Sequence, residues 1–174
     1  GGEVLGSAGF DSTPLAHAVE GAALGLAAVA RASAVRTLQL HDERRTGLPA
    51  GLTSIGGDRA GLGVLGKPVG ALLARIRALA VPVSLESLPL AYGVEDHASQ
   101  GPLAVERLSQ LLDALARLIA CELVCGAQAL DLRQVRSPGA GAAAQHARVR
   151  AHVALLSEDR PLGDELEALA ASIR

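Results

Sequence analysis

"LAVERLSQLLDALARLIACELVCGAQALDLR", residues 103 to 133, is the stretch that decides the fold. Aliphatic side chains recur in it every three or four residues, which is the spacing of one face of an α-helix. A helix with so wide an apolar face is normally enclosed by other helices. The pattern predicts a long central helix from Leu103 to about Arg133. Its predicted apolar face comprises Leu108, Leu111, Leu112, Leu115, Leu118, Ile119 and Leu123.

A second long helix is predicted before it, from about Thr13 to about Leu40. Asp11, Ser12 or Thr13 can cap its start, and Pro14 suits a first helical turn. Apolar residues then recur at helical spacing, which predicts the face that the helix buries. That predicted face comprises Leu15, Val19, Ala22, Leu26, Val29 and Ala30.

The remaining segments predict shorter helices separated by loops. Residues 41–61 read as a loop, because Gly-Leu-Pro and Gly-Gly interrupt them. Residues 62–80 read as a helix that Pro68 either kinks or starts. Two more helices are predicted at about Ala140 to Leu156 and Asp164 to Ile173. With no segment patterned as a strand, we expect one all-α domain over residues 1–174, built as a bundle of long helices.

The composition and charge of the chain limit the kinds of partner that we expect it to bind. Of the 174 residues 49% are hydrophobic but only 1% aromatic, so Ala, Leu and Val make the core. The formal net charge is -2 and no basic tract stands out, which argues against a nucleic-acid partner. No unbroken apolar run reaches the roughly 18 residues of a membrane span. We therefore expect neither nucleic acid nor membrane as a partner.

The cysteines and the start of the chain predict its setting. Cys121 and Cys125 lie within the predicted central helix, and a lone pair of cysteines cannot complete a zinc site. We expect two core thiols in a reducing cytoplasm, and no metal.

The chain contains no Met and opens with Gly1 and Gly2. We therefore expect it to be processed, cut, or part of something longer.

Three ionisable residues stand together in "AYGVEDHASQG", residues 91–101, just ahead of the central helix. Glu95, Asp96 and His97 fall between two glycines in an irregular stretch. From the residues alone, acids beside a helix start are typical caps. A partly desolvated carboxylate could also serve as a base.

Five pieces in order carry a resemblance: "GGEVLGSAGFDSTPLAHA", "TGLPAGLT", "SLESLPLAYGVEDHASQGP", "ACELVCGAQALDLR" and "SEDRPLGDELEAL". Together they resemble the C-terminal part of the histidine and aromatic amino acid ammonia-lyases, from about Gly2 to Ile173. The resemblance implies an almost wholly helical fold and a tetramer. It implies an electrophilic methylidene-imidazolone made from Ala-Ser-Gly, and active sites built from three chains.

The resemblance also implies site residues. Glu95 matches the acidic or amide residue of the "EDH" motif, which faces the substrate and can take a proton from its ammonium group. Phe10 matches a phenylalanine that lies against the substrate, although a Phe before a helix is also a hydrophobic staple. Asp96 and His97 are then scaffold that caps or braces the turn. Tyr92, where the family has a small residue, either fills the pocket or only packs.

The same resemblance leaves two functions open. No Ala-Ser-Gly occurs in the chain, so the methylidene-imidazolone must come from a missing N-terminal half or from a partner chain. The first expectation is a portion or subunit of an ammonia-lyase or 2,3-aminomutase acting on a small histidine-like or aromatic amino acid. The second is a non-catalytic degenerate homologue that serves as a helical assembly or regulatory subunit, since Gly9, Asp11 and Val94 depart from the family pattern.

Overall fold

The fold is described here from a computed structural model, which covers residues 2–4, 11–53, 59–85, 89, 91–94, 97–135 and 137–174. Throughout this described part of the chain the regular elements are helices, and no β-strand occurs. In order they are α1 (Thr13–Leu40), α2 (Glu43–Thr46), α3 (Gly66–Leu79), α4 (Gly101–Leu132), α5 (Ala140–Arg150) and α6 (Gly163–Ile173). Short 3-10 turns lie at Ala50–Leu52, Gly61–Leu65 and Ala91–Gly93. The prediction of an all-α fold is confirmed.

Helix α4 is the centre of the structure, and α1, α3, α5 and α6 all pack against it. Leu111, Leu118 and Cys125 are fully buried on α4, as are Ile76 on α3 and Leu169 on α6. Complete burial of one such leucine contributes about 1.5–3 kcal/mol. The predicted face of α4 is largely the buried one, except that Leu112 is 45% exposed.

The face that α1 buries differs from the predicted one. Of the six residues predicted to form that face, only Ala30 is buried. The helix packs on both α4 and α3, and the residues that it buries are instead small or polar, namely Ala16, Glu20, Ala23, Ala30, Ser33, Ala34 and Thr37. Small side chains allow helix axes to approach closely. The larger aliphatic residues Leu15, Leu24, Val29, Val35 and Leu38 point outward and are 47–57% exposed.

Two further boundaries differ from those predicted. Helix α5 ends at Arg150 rather than near Leu156, because the Gln128 side chain binds both backbone groups of Leu156. A four-residue helix, α2, lies inside the predicted loop 41–61. Asp42 caps it by accepting a hydrogen bond from the Arg44 amide at 3.0 Å, and Gly47 ends it with φ 64°. Those are ordinary helix start and stop signals.

Pro68 starts α3 rather than kinking it. The helix begins at Gly66 after the 3-10 turn Gly61–Leu65, so Pro68 stands in the first turn, where its missing N–H costs little. Likewise Pro102 lies in the first turn of α4, which begins two residues before the predicted Leu103. Both prolines therefore mark helix starts.

Length and composition alone would let α1 cross a membrane, since an 18-residue window in it has a mean hydropathy of 1.4. No other helix in the described part of the chain passes that test. Core helices of soluble proteins pass it as well, so it is weak evidence for a membrane span. The expectation of no membrane partner stays a prediction.

Candidate active site

The start of α1 and the approach to α4 meet side by side. Asp11 accepts hydrogen bonds from the Thr13 amide at 2.9 Å and from Thr13 Oγ1 at 2.6 Å. Thr13 Oγ1 also contacts His97 Nε2, and the same imidazole nitrogen lies 3.8 Å from Asp11 Oδ1. His97 therefore braces the junction between the two helix starts.

A second contact lies beside the first at the same junction. The hydroxyls of Ser12 and Ser99 share a hydrogen bond. Gly101 allows this approach, because a Cβ placed on it would lie 3.0 Å from Ser12 Oγ. Gln100, at the N-cap of α4, takes a left-handed conformation with φ 55°. The chain just before α4 is thus bent to reach the first turn of α1.

A buried carboxylate on α1 holds the chain that leads towards this junction. Glu20 is only 8% exposed. Its Oε1 accepts the backbone amides of Val83 at 2.7 Å and Ser84 at 2.9 Å, and its Oε2 accepts the Ser84 hydroxyl at 2.5 Å. Side chains of α1 therefore form hydrogen bonds with the chain shortly after α3 and again just before α4.

Hydrogen bonding keeps two carboxylates ionised, Asp11 just before α1 and Glu20 within it. The Thr13 hydroxyl and amide, in that order, lower the pKa of the exposed Asp11, and His97 and His17 act in the same direction. For Glu20, burial acts to raise the pKa, but the hydrogen bonds from Ser84 and Val83 outweigh it and the net pKa is lowered. Both groups are therefore acceptors at neutral pH.

The turn Ala91–Gly93 presents side chains to solvent. Ala91, Tyr92 and Gly93 all have positive φ, at 50°, 58° and 86°. Tyr92 is fully exposed and Val94 is 85% exposed. Tyr92 therefore neither packs on the described chain nor fills a pocket within it. Close by in sequence, residues 81–85 and the first turn of α4 line an open apolar cavity of about 570 Å³.

A separate cavity of about 510 Å³ lies between α1, α4 and α5. The charged side chains that line this cavity already bind one another or a neighbouring residue. Arg36 binds Glu122 through two nitrogens, and Glu122 also accepts the Ser33 hydroxyl. His146 binds Asp131 at 2.7 Å. Since these groups satisfy one another, they serve to hold helices together, and we do not assign this cavity to the active site.

The two residues predicted to meet substrate, Phe10 and Glu95, lie outside the described residues, as does Asp96. Their roles stay predictions. The structure brings together Asp11, which follows Phe10, and His97, which lies two residues after Glu95. Glu20 was missed from the sequence. The signal that could have found it is that Glu20 is the one acidic residue in the sequence of α1, among small and aliphatic neighbours.

No cluster of three or more metal-ligating side chains occurs in the part of the chain that the structure describes. Cys121 and Cys125 are free and buried thiols. Burial raises the pKa of Cys121 to about 11 and raises that of Cys125 further. Both therefore remain protonated and unreactive near neutral pH. The prediction of two core thiols is confirmed, and the expectation of a metal-free site stays a prediction.

Known proteins share this arrangement of helices. The structure of the ergothioneine-degrading enzyme ergothionase from Treponema denticola, in complex with desmethyl-ergothioneine sulfonic acid, matches with a TM-score of 0.90 and 33% identity, over 96% of this chain and 34% of that chain. Phenylalanine aminomutase from Pantoea agglomerans matches with a TM-score of 0.93 and 25% identity, over 98% of this chain and 34% of that chain.

Sequence comparison agrees with the fold. Histidine ammonia-lyase from Symbiobacterium thermophilum is 34% identical over 168 residues, which are 97% of this chain and 33% of that protein. The chain thus spans about a third of the length of the curated relatives it matches. The family described as aromatic amino acid lyase matches residues 1–151. This chain belongs to the aromatic amino acid lyase family.

Proposed function

We propose that this chain is the C-terminal portion, or a separate subunit, of an amino acid ammonia-lyase or 2,3-aminomutase. The observation that carries the proposal is the junction at Thr13 and His97, because it holds the residues that flank Phe10 and Glu95 against each other. Membership of the family and the named activities of its relatives support the same reading. The proposed substrate is a small histidine-like or aromatic amino acid.

Each predicted site residue has a definite task in this proposal. Glu95 accepts a proton from the substrate ammonium, so that the free amine can act as nucleophile. Phe10 packs against the apolar part of the substrate. His97 and Asp11 orient the two chain segments through Thr13. Methylidene-imidazolone would supply the electrophile that makes the amino group a good leaving group. The chain contains no Ala-Ser-Gly to form it, so a segment or partner chain carrying that tripeptide would supply it.

The proposal includes assembly into a tetramer in the cytoplasm. Five aliphatic residues of α1 are about half exposed, and a surface with so much apolar area favours burial between subunits. The free buried thiols are typical of a reducing compartment. Light scattering of the protein at micromolar concentration tests the assembly. A tetramer is expected, and a monomer would contradict this part of the proposal.

One observation favours the second candidate, a non-catalytic assembly or regulatory subunit. Asp11 stands where the family has a histidine, and its carboxylate is engaged by Thr13 rather than free for substrate. In this second candidate function the junction of Thr13 and His97 only holds the helices together, and the protein catalyses no reaction.

The test uses the purified protein with every chain that purifies with it. Intact mass shows whether a chain carrying Ala-Ser-Gly has lost water, as ring formation requires. The protein is then offered L-histidine, L-phenylalanine and L-tyrosine. Release of ammonia with an α,β-unsaturated acid indicates a lyase, and a β-amino acid indicates an aminomutase. A formed ring with neither product from any of these amino acids overturns the catalytic proposal in favour of the non-catalytic one.

A further inference from the structure

The first half of α5, residues 140–147, has few contacts with the rest of the structure. All of these residues except His146 are exposed. Within the described part of the chain, their one side-chain hydrogen bond joins His146 Nε2 to Asp131 Oδ1 of α4, at 2.7 Å. The start of the helix has neither a side-chain cap nor an acidic residue in its first turn, and Gly141 in that turn is a poor helix former. This half of α5 is therefore weakly held.

The last turn of α5 is fixed more firmly. Val149 is 1% exposed and belongs to the core. Arg150 donates to Asp131 Oδ2 through Nε at 2.9 Å and through Nη2 at 2.6 Å, and its Nη1 donates to the Val153 carbonyl oxygen at 3.0 Å. Asp131 thus uses one oxygen for His146 and the other for Arg150. The bond to His146 can therefore break while the bonds to Arg150 remain.

The weakly held half is one wall of the cavity of about 510 Å³ between α1, α4 and α5. Ala142, Gln145 and His146 are the residues of this half that line it. On α4 the lining includes Gly126, where a Cβ would meet nothing within 4 Å. The space beside Gly126 is thus open. Movement of the first half of α5 away from α4 would widen the cavity while Val149 stays in the core.

A helix as short as α5 depends on its contacts to remain folded. It has 11 residues, and isolated helices shorter than about 12–15 residues are marginal in water. Segments with few buried apolar contacts and exposed backbone hydrogen bonds open locally, at a lower cost in free energy than global unfolding. We therefore expect the first half of α5 to open as a local event that the contact of His146 controls.

We propose that residues 140–147 are a movable wall of this cavity, and that the hydrogen bond from His146 to Asp131 is the latch that holds the wall closed. An ionised carboxylate only accepts, so His146 Nε2 is the donor. The wall moves about the last turn of α5, which Val149 and Arg150 hold on α4. This device controls how wide the cavity opens. It lies beyond the proposed function, and its test requires no turnover.

The test compares wild type with three variants of the full chain. His146→Ala removes the latch, and because alanine is the better helix former, faster opening cannot come from a loss of helix propensity. His146→Gln keeps an N–H donor on a side chain of similar length and should restore the latch. His152→Ala is the matched control, since His152 is an exposed histidine just after the end of α5.

Hydrogen–deuterium exchange of peptides covering residues 143–147 measures the opening. In wild type these amides should exchange faster than those of α4, at a rate that low urea concentrations hardly change, because local opening exposes little surface. In His146→Ala they should exchange about 10-fold faster, as expected for loss of one hydrogen bond to a charged group, while α4 stays protected over the same times. His146→Gln and His152→Ala should exchange like wild type.

Thiol labelling with iodoacetamide measures access to the cavity. Ala127 of α4 lines the cavity and is only 3% exposed, so Ala127→Cys places a thiol that reacts when the wall opens. Adding His146→Ala should speed its labelling about 10-fold, in step with exchange. The buried native thiols Cys121 and Cys125 are the internal control and should stay unlabelled over the same time.

Each contrary outcome overturns a stated part of the proposal. If residues 143–147 are as protected as α4 in wild type, the wall does not open locally. Unchanged exchange in His146→Ala would mean that His146 is not the latch, and loss of protection in α4 over the same times would mean that it acts on global stability. If exchange rises but labelling of Ala127→Cys does not, the first half of α5 does not control access to the cavity.

Discussion

Gly51 and Gly61 meet backbone to backbone: a Cβ placed on Gly61 would lie 2.6 Å from the carbonyl oxygen of Gly51, and one placed on Gly51 would lie 2.6 Å from that of Ala60. Both residues have positive φ, at 68° and 52°. Asp159 accepts the amides of Ala60 and Gly61 at 3.1 and 3.0 Å from the other side. This close approach joins two loops and the segment before α6.

Gly61→Ala should therefore destabilise the protein. The new methyl group meets a backbone oxygen that no side-chain rotation can move, and φ is unfavourable for alanine. We expect a loss of about 1–3 kcal/mol, seen as a lower Tm. The matched control is Gly21→Ala in α1, where a Cβ meets nothing within 4 Å. There alanine should stabilise by about 0.5–1 kcal/mol, and equal effects at the two sites would contradict the close approach.

Gln128→Leu should be destabilising although leucine has a similar volume. The Gln128 amide donates to the carbonyls of Leu52 and Leu156 and accepts the Leu156 amide. Leucine leaves these buried backbone groups without partners, and we expect a loss of about 3 kcal/mol. Thermal unfolding measures it. Gln110→Leu, at a half-buried glutamine of the same helix whose side chain donates to Glu106 one turn away, should change stability by less than about 0.5 kcal/mol.

His41 should make stability depend on pH. Its Nε2 lies 3.5 Å from the Cys125 thiol, and its buried Nδ1 has no partner in the described structure. Burial lowers the pKa of His41 below 6.5. The unfolded chain therefore takes up the proton first as pH falls, so the stability due to neutral His41 is full above pH 6.5 and is lost below it.

The measurement for His41 is Tm between about pH 8 and pH 5. Wild type should lose more Tm on acidification than His41→Gln, in which this group no longer titrates. His152→Gln, at an exposed histidine, should keep the wild-type slope. Parallel slopes for wild type and His41→Gln would show that burial of His41 does not control the titration.

Glu95→Gln should reduce turnover about 100-fold with little change in Tm, since it keeps the shape but removes the proton acceptor. Asp96→Asn, as a scaffold change, should alter Tm more than rate. Steady-state kinetics and thermal melts of both variants in the active protein decide between the roles. An active but destabilised Glu95→Gln variant would mean that Glu95 caps or packs rather than takes a proton.

Helix positions followed from the sequence by itself. The repeat of aliphatic residues predicted α4, and Pro14, with Asp11, Ser12 or Thr13 as alternative caps, predicted the start of α1, because helix periodicity and helix starts are local properties. Prolines and glycines likewise marked most breaks. The order of the motifs also indicated the family, and the resemblance to that family predicted Phe10 and Glu95 as site residues. His97 was predicted to brace the turn before α4, but its contact with Thr13 of α1 was not predicted.

Only the tertiary structure decided which face of α1 is buried and how the chain between α3 and α4 is held. Helix α1 is apolar on most of its surface, so hydrophobicity could not choose a face. Packing of α1 against α4 and α3 buries Ala16, Ala23 and Ala30 and leaves several larger aliphatic residues about half exposed. The end of α5 and the anchor at Glu20 depend on partners far away in sequence, Gln128 and Ser84. Such contacts form only when the helices pack. Almost every residue has the same backbone amide and carbonyl, so the sequence does not show which of these groups a distant side chain will bind.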